Sequence, residues 1–156
     1  MRQLSIEPLG HAHAVSIAAM MEADGAEYRS GFHPFPPDSA EIAQILRDAR
    51  QDRYWGMFIA GELAGFMMLR GWDEGYQRPS FGVYVAKPHG GRGLGRLALD
   101  WCLSFCRSND IPAMMLKVYP SNTFAVALYE SAGFDVIGTE EGSGQSIMEK
   151  RWKVSA

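Results

Sequence analysis

Four glycines fall within six residues in the segment Val85-Ala86-Lys87-Pro88-His89-Gly90-Gly91-Arg92-Gly93-Leu94-Gly95-Arg96. The segment joins an apolar run, Ser80 to Val85, that reads as a strand to a stretch that reads as a long amphipathic helix. On that helix Leu94, Leu97, Ala98, Trp101, Cys102 and Phe105 recur at helical spacing. A plain strand-to-helix turn seldom needs so many residues without a Cβ. Glycine lets the backbone approach a ligand closely and adopt positive φ. The helix that follows offers unpaired N–H groups and the positive end of its dipole. This arrangement suits a phosphate or pyrophosphate, and Lys87, Arg92 and Arg96 can add charge-assisted contacts.

Two familiar phosphate loops do not fit. A Walker loop ends in Gly-Lys-Ser/Thr, and this one ends in Gly95-Arg96-Leu97. A dinucleotide fingerprint follows the first strand of a βαβαβ half, whereas four predicted strands precede this loop. Charge singles out the same region. The 156 residues carry 18 acids against 15 bases, a net charge of −3, which does not favour a nucleic-acid partner. Yet between Gly75 and Leu99 stand Arg78, Lys87, Arg92 and Arg96 and no acid. A basic island in an acidic chain points to a local site for an anionic ligand.

Hydrophobic residues make up 47% of the chain and charged residues 21%, the balance of a folded domain rather than a disordered one. A single domain over residues 1–156 is expected. No apolar run approaches the roughly 18 residues of a membrane span, and the opening MRQLSIEPLG lacks an apolar signal core. A cytoplasmic protein without membrane contact is therefore expected. Cys102 and Cys106, one helical turn apart, are too few for a zinc site and read as reduced core residues; no metal is expected.

Alternation and helical spacing predict the order β-α-α-β-β-β-α-β-α-β-β. Leu4 and Ile6 lie on a short first strand, and Ala14, Ile17, Ala18 and Met21 on a helix that stops at Gly25. Asp38 or Ser39 caps a second helix. Tyr54 to Ala60 and Leu63 to Arg70 form a hairpin about Gly61-Glu62. Ser80 to Val85 and Ala113 to Val118 are expected as parallel neighbours joined by a right-handed crossover. Asn122 to Ser131 is a further helix, followed by strands over Phe134 to Gly138 and Ser146 to Trp152. The fold class is α/β (α+β mixed), with a mostly antiparallel mixed sheet. Ligands on such sheets gather at the carboxyl ends of the parallel strands, where the glycine loop falls. Exposed edges of the last strands would allow a homodimer.

Two segments carry a family resemblance. Gly93-Leu94-Gly95 closes the strand–loop–helix segment, and Val118-Tyr119-Pro120-Ser121-Asn122-Thr123-Phe124-Ala125 leads into Leu128-Tyr129-Glu130 and Gly133-Phe134. The first resembles the Gln/Arg-x-x-Gly-x-Gly/Ala loop of the GCN5-related N-acetyltransferases, the GNAT family, with Gly90 where Gln or Arg is usual. The second resembles the family's N-x-x-A-x-x-L-Y-x-x-x-G-F pattern with every spacing intact. The order of elements agrees with the family fold across nearly the full chain. The resemblance implies a GNAT fold of six to seven strands and four helices, with a central parallel pair splayed apart. It implies acetyl-CoA as the donor co-substrate, its pyrophosphate on Gly90, Gly91, Arg92, Gly93, Leu94, Gly95 and Arg96. The pantetheine arm would run between the splayed strands against the backbone of Tyr84 and Val85. Asn122 would hydrogen-bond the arm, and Tyr129 would act near the sulfur as general acid. A phenol suits that role because it can donate to a departing thiolate. Asn122 can equally cap its helix.

The activity so implied is an N-acetyltransferase in which the amine of a small molecule attacks acetyl-CoA directly in a ternary complex. Strand N–H near Val85 would meet the oxyanion. Neither cysteine has an evident base beside it, which argues against an acyl-cysteine route. The amine must lose a proton, and candidate bases stand in two irregular segments: Glu27 and His33 in the first, Asp73 and Glu74 in the second. Tyr84 is a further contributor. Phe32, Phe35, Trp72 and Tyr76 either wall an acceptor pocket or anchor those loops. The run GWDEGYQRPS is similar to family members found with surface-polysaccharide genes, which points to an amino-sugar acceptor. A protein N-terminus or lysine as acceptor, and a non-catalytic acyl-CoA-binding module, are the alternatives.

Overall fold

The computed structural model describes residues 1–154. Its strands are β1 (Leu4–Pro8), β2 (Arg53–Ile59), β3 (Glu62–Arg70), β4 (Ser80–Val85), β5 (Ala113–Val118), β6 (Asp135–Thr139) and β7 (Ser146–Arg151). They form one seven-stranded sheet in the order β1-β2-β3-β4-β5-β7-β6, parallel only between β4 and β5. The helices are α1 (Ala14–Asp24), α2 (Ser39–Asp48), α3 (Leu94–Ser108) and α4 (Thr123–Ser131).

Local chemistry sets the element ends. The Asp38 carboxylate accepts the Glu41 N–H at 3.0 Å and starts α2. The β2–β3 turn sits one residue earlier than the Gly61-Glu62 reading. Its central residues are Ala60 and Gly61, with φ of 51° and 82°, because a two-residue hairpin turn of this kind takes positive φ at both positions.

Alternation along the strands divides the core between the two faces of the sheet. Trp55, Met57, Met67, Leu69 and Phe81 pack with α3 and Tyr129, whereas Tyr54, Phe66, Met68 and Tyr84 pack with α1 and α2. Cys102 and Cys106 are buried free thiols in the first of these cores. Burial pushes both thiols up, Cys106 to about 12, so neither is a ready nucleophile.

The two parallel strands are held firmly on their outer sides. β4 aligns six residues with β3, and β5 aligns six with β7. Between themselves they align only at Ser80 and Met115, where the Met115 N–H donates to the Pro79 carbonyl at 3.0 Å. Beyond that point they diverge. Ala86 N–H donates to the Ala64 carbonyl at 2.9 Å. Ladder alternation then turns the main-chain groups of Gly82 and Tyr84 toward β3 and those of Val83 and Val85 toward the gap.

Gly65 lies under that ladder, and a Cβ there would sit 2.5 Å from the Tyr84 carbonyl oxygen. Gly65→Ala should therefore lower stability by about 1–3 kcal/mol. The check is a shift in denaturant midpoint at constant slope.

Candidate active site

The diverging strands open onto a cleft of about 1190 Å³. Val83, Tyr84 and Val85 form one wall and Met115, Lys117, Val118 and Tyr119 the other, with Asn122, Ala125 and Tyr129 of the following segment behind them. The glycine loop begins just past Val85, so it continues the β4 wall toward solvent. Gly93 caps α3 at φ +84° with no side-chain hydrogen bond, and Gly91 has φ +73°. A Cβ at Gly91, Gly93 or Gly95 would meet nothing within 4 Å. Crowding within the protein thus accounts for none of these three glycines, and at Gly95 neither does backbone angle. The open, uncapped N-terminus of α3 fits a pyrophosphate on the amides of Gly91 to Arg96. Leu94 is buried and offers only its main chain. Among the described residues, Lys87, Arg92 and Arg96 have no carboxylate within 4.0 Å.

Asn122 caps its helix and also stands at the cleft. Its Oδ1 accepts the Ala125 N–H at 3.3 Å, capping α4, while the residue lines the cleft. Tyr129 is 8% exposed, and Phe81 and Phe134 meet its ring edge-on at 6.3 and 6.1 Å. Burial raises its phenol to about 12; like any tyrosine it is protonated at neutral pH, and its hydroxyl can donate.

Across the gap lies the connection between α1 and α2. The Tyr28 hydroxyl donates to the Val85 carbonyl at 2.6 Å, and His33 Nε2 shares a 2.6 Å hydrogen bond with the Tyr119 hydroxyl. One short segment thus touches both diverging strands. Phe32 meets Phe35, Phe66 and Tyr84 edge-on, which anchors the segment. The Tyr84 hydroxyl donates to Asp24 at 2.6 Å. Burial, then this bond, holds the phenol high, so Tyr84 is an anchor rather than a base. Lys117 and Glu140 form an ion pair in the cleft wall, and Ser143 donates to Glu140 at 2.8 Å. Those two bonds keep the Glu140 carboxyl low.

The four candidate bases separate. His33 and Glu74 line the cleft. Glu27 is exposed and lies outside its lining. Asp73 is a correction to the sequence reading. Its carboxylate accepts the N–H groups of Arg50, Gln51 and Asp52 at 2.9, 2.7 and 3.3 Å. These bonds lower its pKa and commit it to holding the α2–β2 loop. Tyr28, Tyr119, Asp24, Lys117, Glu140 and Arg70 were not singled out from sequence. Tyr119 stood within the quoted Val118 to Ala125 segment, but only the fold shows that it meets His33.

These features define a class: a mixed-sheet protein whose central parallel strands part to leave a cleft, with a glycine-rich, uncapped helix start following one of them. Residues 17–134 match the family model described as the Acetyltransferase (GNAT) family. The chain belongs to that family, whose members use acetyl-CoA as donor. The mycothiol acetyltransferase of Thermomonospora curvata is 38% identical over 66% of this chain and 36% of its own length. That of Propionibacterium freudenreichii subsp. shermanii is 37% identical over 72% of this chain and 39% of its own. The chain thus spans less than two fifths of these curated relatives. The PaiA N-acetyltransferase of Thermoplasma acidophilum, solved in complex with coenzyme A, shares the fold with a TM-score of 0.78 at 15% identity. That likeness covers 96% of this chain and 99% of the other. Among the described residues no group of three or more His, Cys, Asp or Glu could hold a metal, and no helix is long and apolar enough to cross a membrane.

Gly93→Asp adds a strained residue at positive φ and a negative charge in the cradle, and should abolish coenzyme A binding in titration calorimetry. Undiminished affinity would place the phosphates elsewhere. Asp73→Ala should lower the thermal midpoint while leaving coenzyme A affinity at the unmutated value.

Proposed function

We propose that the chain is an acetyl-CoA-dependent N-acetyltransferase acting on a primary amine of a small molecule, by direct attack in a ternary complex. The observation that carries this reading is the parting of β4 and β5 after a single aligned pair, between the uncapped α3 and the buried Tyr129. The names of the curated relatives support a small-molecule acceptor.

Acetyl-CoA supplies an activated thioester. The chain's own groups do the rest. The Val85 N–H, turned into the gap, is placed to meet an oxyanion. That N–H shares a peptide plane with the Tyr84 carbonyl, which the β3 ladder holds, so its direction is set before substrate arrives. The Tyr129 hydroxyl donates to the departing sulfur. His33, bonded to Tyr119, takes the proton the amine must lose, and Glu74 faces the incoming ammonium. The raised cysteine thiols argue against a covalent route.

Thiol release from acetyl-CoA, assayed across a panel of primary amines, tests the reading directly. An absence of both thiol release and a thermal shift with millimolar acetyl-CoA would overturn it. Tyr129→Phe should lower kcat by about 10²- to 10⁴-fold with little change in acetyl-CoA affinity. A matching loss of affinity would count against an acid role.

A further inference from the structure

The walls of the cleft carry four basic side chains and two carboxylates besides His33. Most are already paired. Arg78 pairs with Glu149 and Lys117 with Glu140. Arg29 lies 3.7 Å from Glu22 and donates to the Met21 carbonyl at 3.0 Å. Two charges remain. Among the described residues, Arg70 has no carboxylate within 4.0 Å, and Glu74 has no cation within that distance. Among the described residues the Arg70 side chain makes one hydrogen bond, Nη1 to the Pro34 carbonyl at 3.4 Å, a weak use of a group with five donors.

Arg70 and Glu74 stand on one short structure. Arg70 ends β3, and the chain then turns at Gly71, whose φ is +117°. The Gly71 carbonyl accepts the N–H groups of Glu74 and Tyr76 at 3.1 and 3.0 Å, and Trp72 Nε1 donates to the Gln77 carbonyl at 3.2 Å. The turn is therefore braced, which fixes the backbone positions from which both side chains reach. They do not bond each other. Tyr76, 65% exposed, adds an aromatic wall to the same rim.

An unneutralised cation and an unneutralised anion, carried into one cleft by a single braced turn, are complementary to a ligand bearing both signs. We infer that the acceptor carries an anionic oxygen group, carboxylate or phosphate, in addition to its amine. Arg70 binds that anion in bidentate fashion while Glu74 holds the ammonium end. Neither a neutral amine nor a polyamine would satisfy the guanidinium. This inference rests on the acetyltransferase reading above and narrows its acceptor class.

The test uses acceptors that differ only in the anion, at saturating acetyl-CoA: L-serine against L-serinamide, and glucosamine phosphate against glucosamine. The unmutated protein should favour the anionic member of at least one pair in kcat/KM, by about 10- to 100-fold. Which pair shows the preference identifies carboxylate or phosphate. Arg70→Gln should collapse that ratio toward one, mainly through KM, and Arg70→Lys should restore part of it. The serine pair is stringent, because the carboxamide leaves a larger share of its amine unprotonated and so favours the neutral member. A ratio near or below one in both pairs, or a ratio that survives Arg70→Gln, overturns the inference while leaving the acetyltransferase reading intact. Failure of every amine to release thiol overturns that reading and this inference with it.

Discussion

Where β4 and β5 meet, Ser80 aligns with Met115 and the Met115 N–H reaches the Pro79 carbonyl; past that contact the ladder stops. Each strand is still bonded on its other side over six aligned residues, so the gap is imposed by the sheet rather than by local disorder. The divergence leaves main-chain donors and acceptors of Val83, Val85 and the facing part of β5 without strand partners. A buried polar group in that state costs about 1–3 kcal/mol. The cleft is open to solvent, so water can serve those groups. The same parity corrects the expectation that the Tyr84 backbone would line the gap beside that of Val85. The Tyr84 N–H and carbonyl belong to the β3 ladder, close enough to exclude any Cβ at Gly65.

The segment from Tyr28 to His33 turns that gap into a cleft with a cover. It bonds to the end of β4 through Tyr28 and to the end of β5 through His33, each at 2.6 Å. Phe32 supplies the apolar footing between these polar contacts, in a ring cluster with Phe35, Phe66 and Tyr84. The choice between pocket wall and loop anchor therefore resolves residue by residue. Phe35 is buried as an anchor, and Trp72 is held by the Gln77 carbonyl and packs toward Phe105. Phe32 does both jobs, and Tyr76 faces the cleft.

What could be read from sequence follows the range of the interactions involved. Helix caps such as Asp38 and Asn122 act over three residues. The apolar periods that define the strands are equally local, and so the element order and the parallel pair were legible. The hairpin turn missed by one residue because Gly61 tolerates positive φ in either frame, and only the pairing of Ile59 with Glu62 decides between them. The site is a different matter. Tyr28 meets Val85 across 57 residues, Tyr84 meets Asp24 across 60, and His33 meets Tyr119 across 86. Nothing in the local pattern around any of these residues encodes its partner. Asp73 shows the converse. An acidic residue in a loop beside aromatics looks like chemistry, and only the three amides it accepts reveal that it holds the chain.

The basic island between Gly75 and Leu99 also divides once the strand is placed. Arg78 precedes β4 and the glycine loop follows it. Six residues of strand at about 3.3 Å each set the two ends roughly 20 Å apart. Arg78 is already engaged by Glu149 on β7, so it helps tie the closed end of the wedge. Lys87, Arg92 and Arg96 remain at the open end, exposed and without carboxylate partners among the described residues, where a doubly charged phosphate group would compensate them. A charge pattern that looks like one patch in sequence thus does two separate things. It secures the point from which the strands diverge, and it gives the open end a positive potential that favours an anion.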